Sequence, residues 1–138
     1  MQQQQYNKPL PYVHEETRPF WEGTKRHEVL IQRCKDCGKF RFYPRSTCIY
    51  CLSDNTEWVK VSGKAKVYSF TIAYRPARPA FADDAPYNVA IIELEEGIRM
   101  ISNIVDCANE DIKVDMPVEV VFDDVTPEIT LLKFKPVS

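Results

Sequence analysis

The chain has 138 residues, 44% apolar and 28% charged, close to soluble globular averages, which disfavours whole-chain disorder and leaves too little length for a two-lobed enzyme with its own cofactor domain. Eighteen Lys and Arg against twenty Asp and Glu give a formal charge of −2, a balance that disfavours nonspecific nucleic-acid binding. No apolar run approaches the ~20 residues that cross a bilayer.

The first eight residues are polar and Gln-rich and lack the apolar stretch of a secretory signal. Residues 1–11 are therefore expected to be a disordered tail, and a cytoplasmic location is the expectation that follows. Residues 12–33 read as a helix and a lead-in strand. Thr17 is placed to cap the helix, and Pro19 sits in its first turn, where a missing N–H costs little. Gly23 weakens the helix, which should end near His27. Val29, Leu30 and Ile31 then lead as a short strand into Cys34.

Across residues 34–57 no apolar period lasts long enough to build a core, and so short a piece needs a metal, a disulfide or a partner to order it. Cys34-x-x-Cys37 and Cys48-x-x-Cys51 lie ten residues apart. Each pair can bend into a knuckle with two sulfurs facing one ion, and two knuckles complete a tetrahedron. In a reducing compartment this spacing reads as a metal centre, with structural zinc favoured over redox-active iron. Gly38 follows the first pair, where a positive φ lets backbone N–H groups aim at sulfur; Leu52 in the matching place makes a less ideal turn. The segment is basic: Arg33, Lys35, Lys39, Arg41 and Arg45 against Asp36 leave +4. These cations either offset four thiolates on a divalent ion or form a surface for a partner or phosphate.

Strand patterns dominate residues 58–138. Residues 64–74 alternate, with Tyr68, Phe70, Ile72 and Tyr74 expected on one face and Val67, Ser69, Thr71 and Ala73 on the other. Residues 89–94 and 98–105 are joined by Glu95-Glu96-Gly97, a short hairpin loop, and 118–122 and 129–134 supply two further strands. Five short strands and little helix predict a mainly β chain: an N-terminal helix, a small zinc ribbon, and a five-stranded antiparallel barrel of the OB-fold kind.

Residues 75–87 form a long Pro-rich loop carrying Arg75, Arg78, Phe81 and Tyr87. Guanidinium groups pair with phosphate and aromatic rings cover a base or acyl chain, so these four are the candidate ligand contacts, against a plain solvent-exposed loop. Catalytic candidates are poor. Cys107 has no neighbouring histidine in sequence, and His14 and His27 belong to no triad-like motif. The span 93–124 carries ten acids against Arg99 and Lys113, a net −8 that reads as solvated faces.

These motifs match a family. Through Phe20-Trp-Glu-Gly, Gln32-Arg-Cys-Lys-Asp-Cys-Gly, Tyr43-Pro-Arg-Ser-Thr-Cys-Ile-Tyr-Cys, Pro86-Tyr-Asn-Val-Ala-Ile-Ile-Glu-Leu-Glu-Glu-Gly97 and Met116-Pro-Val-Glu-Val-Val-Phe122, the chain resembles the acyl-CoA-associated OB-fold proteins with a rubredoxin-like zinc ribbon. The likeness spans about residues 12–136. Two places depart from the family pattern: Asp115 replaces a common glycine, and residues 126–130 lack an Asp-Gly turn.

The resemblance implies zinc on Cys34, Cys37, Cys48 and Cys51 and a thiolase-like partner that holds the catalytic residues. This chain would then be a noncatalytic accessory subunit that helps complete an acyl-CoA pocket, with Arg75, Arg78, Phe81 and Tyr87 as its coenzyme A contacts, in bacterial breakdown of aromatics such as toluene or in an archaeal thiolase/hydroxymethylglutaryl-CoA synthase assembly. The rival readings are a single-stranded nucleic-acid module, disfavoured by the −8 span, and a rubredoxin-like electron carrier, which would be red.

Overall fold

The structure, a computed structural model, describes residues 10–75, 79 and 86–137. Its order is α1 (Arg18–Lys25), β1 (Val29–Cys34), β2 (Phe40–Arg41), β3 (Thr56–Val61), β4 (Lys64–Ala73), β5 (Tyr87–Leu94), β6 (Arg99–Ser102), a 3-10 turn (Asn109–Asp111), β7 (Pro117–Asp124) and β8 (Thr130–Pro136). Among the described residues no helix is long and apolar enough to cross a membrane.

Helix α1 buries Phe20, Trp21 and Thr24 on one face. Its start corrects the capping expectation. Thr17 adopts helical φ/ψ, so its hydroxyl cannot reach forward to the first free N–H groups. It turns back instead, accepting from His14 N at 3.0 Å and donating to His14 O at 3.2 Å. The end falls where expected, with His27 left-handed at φ 60, His27 N donating to Thr24 O and Glu28 N to Gly23 O. That pair of bonds is a Schellman closure with histidine in the usual glycine position.

Two antiparallel sheets follow. The small one has the order β2-β1-β3. The larger runs β6-β5-β4-β7-β8, and its ends meet at a parallel bridge between Ile104 and Phe134. There Phe134 N donates to Asn103 O at 3.0 Å and Val105 N to Phe134 O at 2.8 Å. The sheet thus curls into an OB-type barrel, with Phe134, Val67, Ala90, Ile92, Leu94 and Val118 buried inside. Asn88 is a polar residue on the inward face, as is Ser102. The Asn88 amide accepts from Ile104 N at 2.7 Å and donates to Ile104 O at 2.9 Å, so burying it leaves no polar atom unpaired there.

The expected alternation along β4 breaks midway. Val67 pairs with Ile92 but Ser69 with Ile91, so Tyr68 is the extra residue of a bulge. Before it Ala65 and Val67 point inward; after it Phe70 and Ile72 do. Tyr68 therefore leaves the predicted face and lies 42% exposed. The bulge is pinned by Asp115 N on Val67 O at 2.7 Å and Val67 N on Met116 O at 3.0 Å. Asp115 has φ 69, which explains why glycine suits this position, and Asp is among the residues that tolerate that region. In the last hairpin the Thr126 hydroxyl accepts from Glu128 N and Ile129 N, replacing an Asp-Gly turn.

The chain passes between the sheets at Gly63, with φ +80. A Cβ there would stand 2.5 Å from Val120 Cγ1, whereas one at Gly97, φ +96, meets nothing within 4 Å. Both glycines relieve a left-handed strain of about 1–2 kcal/mol, but only Gly63 also allows the two sheets to approach. Thermal melts should show Gly63→Ala destabilising clearly more than Gly97→Ala; equal shifts would deny the close packing.

His27 also ties the helix end to the barrel: its ring stacks on Phe122 at 4.8 Å and Nε2 lies 3.1 Å from both Asp124 carboxylate oxygens. The Thr130 hydroxyl and His27 hold the Asp124 carboxyl below its ordinary value. A depressed carboxylate stabilises the fold above its unfolded pKa and loses that contribution as pH falls through the folded one. Asp124→Asn should therefore lower the melting temperature at neutral pH, with the gap to wild type closing at acid pH, as read by parallel melts.

Candidate functional site

Strand β1 ends at Cys34, opposite Thr56 of β3, and this register delivers the first knuckle. Gly38 N donates to Cys34 O at 2.9 Å and Cys37 N points at Cys34 Sγ at 3.5 Å. The second knuckle repeats the pattern: Leu52 N donates to Cys48 O at 2.9 Å and Tyr50 N to Cys48 Sγ at 3.4 Å. Gly38 and Leu52 occupy equivalent positions with φ 76 and 65, so the turn that reads as less ideal in sequence is made anyway, with leucine in a conformation that favours glycine. Asp36 clamps the two knuckles by accepting from the Ser53 hydroxyl and from Asn55 Nδ2, bonds that hold its carboxyl below the ordinary range.

The four sulfurs lie within 4.8 Å of one another, with Cys34 to Cys51 at 3.5 Å and Cys37 to Cys48 at 3.7 Å. Both separations are far beyond the ~2.05 Å of a disulfide. They match the edge of about 3.8 Å expected for four sulfurs 2.3 Å from one tetrahedral zinc ion. Cys34 and Cys48 are buried, whereas Cys37 and Cys51 face solvent.

Electrostatics also call for a cation. Burial pushes the Cys48 thiol up, but backbone N–H groups of Cys51 and Tyr50 and neighbouring thiols outweigh it and hold the group down to about 6. Backbone Ser53 lowers Cys51, yet the thiols of Cys34, Cys48 and Cys37, with burial, push it up to about 12. Four thiolates this close cannot all ionise unaided, and a divalent ion removes the conflict. Its contribution when bound is folding free energy for a lobe short of apolar core.

A second feature lies where helix, ribbon and barrel meet: an open cavity of about 1210 Å³. Phe20 and Trp21 come from α1, Phe42 and Tyr43 from the stretch after β2, and Ile104 and Leu131 from the barrel. The aromatic wall is ordered by edge contacts, Phe20 with Trp21 at 4.9 Å and Phe42 with Tyr43 at 5.3 Å, and by Trp21 Nε1 donating to the Tyr43 hydroxyl at 3.0 Å. Cys107 lines it too, its thiol pushed up by burial and by Asp111.

Of the loop residues singled out in sequence, Tyr87 is half-buried in the cavity wall. Arg75 is exposed just beyond β4 and is not among the lining residues. Arg78 and Phe81 lie outside the described residues. Phe20, Trp21, Phe42 and Tyr43 carry no site signal from their spacing; the run Phe40-Arg-Phe-Tyr43, aromatic without a long apolar period, is the local sign of this wall.

The purified chain should contain one zinc per molecule and be colourless. Cys48→Ser should abolish zinc by elemental analysis and unfold the ribbon, seen as lost protection of β1 and β3 amides. Because ligand thiols must shed protons, zinc retention against a chelator should fall steadily as pH drops below neutrality.

Comparison with known proteins bears on both features. The model for "ChsH2, rubredoxin-like zinc ribbon domain" matches residues 21–57, and that for "ChsH2, C-terminal OB-fold domain" matches 58–123. A DUF35 domain-containing scaffold protein of Methanocaldococcus jannaschii is 42% identical over 126 residues, covering 86% of this chain and 89% of that protein. A probable enoyl-CoA hydratase alpha subunit of Thermomonospora curvata is 36% identical over 94% of this chain, but the chain spans only 40% of that subunit's length. Benzoylsuccinyl-CoA thiolase subunit BbsA of Geobacter metallireducens is 33% identical over 72 residues, 52% of this chain and 47% of its own. Among solved structures, the "Ltp2-ChsH2(DUF35) aldolase" superposes with a TM-score of 0.82 at 35% identity, covering 92% of this chain and 98% of that one. Four converging sulfurs, a curled five-stranded sheet and these matches together place the chain in the DUF35 family, with a rubredoxin-like zinc ribbon followed by an OB-fold domain.

Proposed function

We propose that the chain is a noncatalytic, zinc-stabilised accessory subunit of a thiolase-type enzyme of the cytoplasm, and that it lends one wall to the pocket for an acyl-CoA thioester. The observation that carries this reading is the aromatic cavity of about 1210 Å³ at the junction of helix, ribbon and barrel. It is open and largely apolar, suited to covering an acyl or pantetheine chain that another protein holds from the far side. Its thiol, Cys107, is pushed up by burial and Asp111 and so stays protonated and weakly nucleophilic. Neither histidine is among its lining residues.

Relatives named for CoA thioesters, a thiolase subunit and a hydratase subunit, support the substrate class. The bond-making residues then belong to the partner, and this chain acts by positioning and by excluding water. A setting in aromatic breakdown such as that of toluene draws on the thiolase-subunit relative, whose match covers half of this chain. The alternative setting is an assembly of the thiolase and hydroxymethylglutaryl-CoA synthase kind; the Methanocaldococcus jannaschii relative supports only a scaffold role. The aldolase match favours a second reading of the partner's reaction, retro-aldol cleavage in place of thiolysis.

The test is to co-purify the chain with its native partner and assay each component alone and together for thiolysis, retro-aldol cleavage and hydration of CoA thioesters. Activity should reside in the partner and rise at least tenfold on adding this chain. Ile101→Asp, at the cavity mouth and 73% exposed, should raise KM for the thioester severalfold while leaving zinc content and melting temperature alone. Turnover by this chain by itself would defeat the proposal.

A further inference from the structure

A second groove, of about 600 Å³, runs between the ribbon and the β5–β6 hairpin. Phe40, Ile49 and Tyr50 form its apolar side, and its charged residues are Lys39, Arg41 and Arg99 against Glu96. Ile49 and Tyr50 are 68% and 55% exposed on the second knuckle, although nothing about holding the sulfurs requires apolar side chains there.

The polar atoms are more telling. Arg41 is 4% exposed, and its Nη2 donates to Arg45 O and Thr56 Oγ1, while among the described residues its buried Nε and Nη1 have no acceptor. A guanidinium cannot shed its charge, so Arg41 keeps that side of the groove cationic. Across the groove Glu96 Oε2 accepts from Ser62 N at 3.2 Å, while its buried Oε1 has no partner among the described residues. Among the described residues the Lys39 ammonium meets only the Tyr50 ring, at 4.6 Å, and Arg99 lies over Tyr68 at 3.8 Å and 3.6 Å from Glu93.

Exposed apolar side chains at Ile49 and Tyr50 beside the cations Lys39 and Arg99, with Glu96 on the far side, call for an apolar occupant that also carries charge. A phosphate offers acceptors alone and would face Glu96 with like charge. A polypeptide offers C=O and N–H groups at regular spacing, and the cationic excess favours one bearing a carboxylate. We infer that this groove is the docking site for the catalytic partner, which inserts an apolar segment carrying an acidic side chain between the ribbon and the β5–β6 hairpin. The inference rests on the accessory-subunit reading and adds to it the surface and the chemistry of the contact. It also gives the basic ribbon a use beyond offsetting thiolate charge.

The test measures affinity between this full chain, zinc-loaded, and its co-purified catalytic subunit, identified by mass spectrometry and by its activity on CoA thioesters. Lys39→Glu and Ile49→Asp should each weaken binding at least tenfold with zinc content and melting temperature unchanged, and added salt should weaken wild-type binding. Glu96→Gln, which keeps an acceptor oxygen, should stay within about threefold of wild type. Unaltered binding by both rim variants would overturn the docking site and leave the accessory role standing. Failure of the wild-type chain to bind any such subunit would overturn both. Displacement of the partner by free coenzyme A, strengthened by Glu96→Gln, would make the groove a phosphate site and end the inference, as would a dimer of this chain that the rim variants split.

Discussion

Four sulfurs within 4.8 Å of one another are the constraint on which the ribbon depends. The segment between the first and last of them has almost no core of its own, and its two-residue strand β2 pairs only through Gln32 with Arg41 and Arg33 with Phe40. A zinc ion there converts electrostatic conflict among crowded thiolates into the free energy that folds the lobe. The backbone donors, the Asp36 clamp and the left-handed Gly38 and Leu52 all serve to aim sulfur at one point.

What the metal holds is as informative as how it is held. Fixing β1, β2 and β3 sets Phe42 and Tyr43 against Phe20 and Trp21, so the aromatic wall of the cavity is assembled from helix and ribbon together. The barrel supplies the opposite wall. Its closure at Ile104 and Phe134 is secured by Asn88, whose buried amide is fully used by Ile104. A structural metal, an amide clamp and a bulge thus stand behind a surface with no bond-making group of its own in the proposed role. That division of labour suits a subunit whose value is shape and position.

The two open regions adjoin through Phe42 and Arg99, which line both. A partner seated in the smaller groove would therefore stand beside the larger cavity, bringing its reacting groups to the wall that this chain provides. Docking and pocket completion would then be one event.

The sequence by itself determined the metal centre, because CxxC pairs ten residues apart have few other uses in a chain this short of core. It determined the five strands of the larger sheet as well, since apolar alternation bounded by Gly97 and the prolines is a local signal, but not β2 or β3, which are ordered by pairing with β1. It could not place Tyr68, because a bulge depends on where Asp115 and Met116 pack against Val67 from 48 residues away. Nor could it orient the Thr17 hydroxyl, which follows the backbone of the preceding turn. Only tertiary structure decided that Phe20, Trp21, Phe42 and Tyr43 share one wall and that Arg41 lies buried, two of its donors without an acceptor among the described residues. Those are facts of packing between segments distant in the chain, and local periodicity carries no record of them.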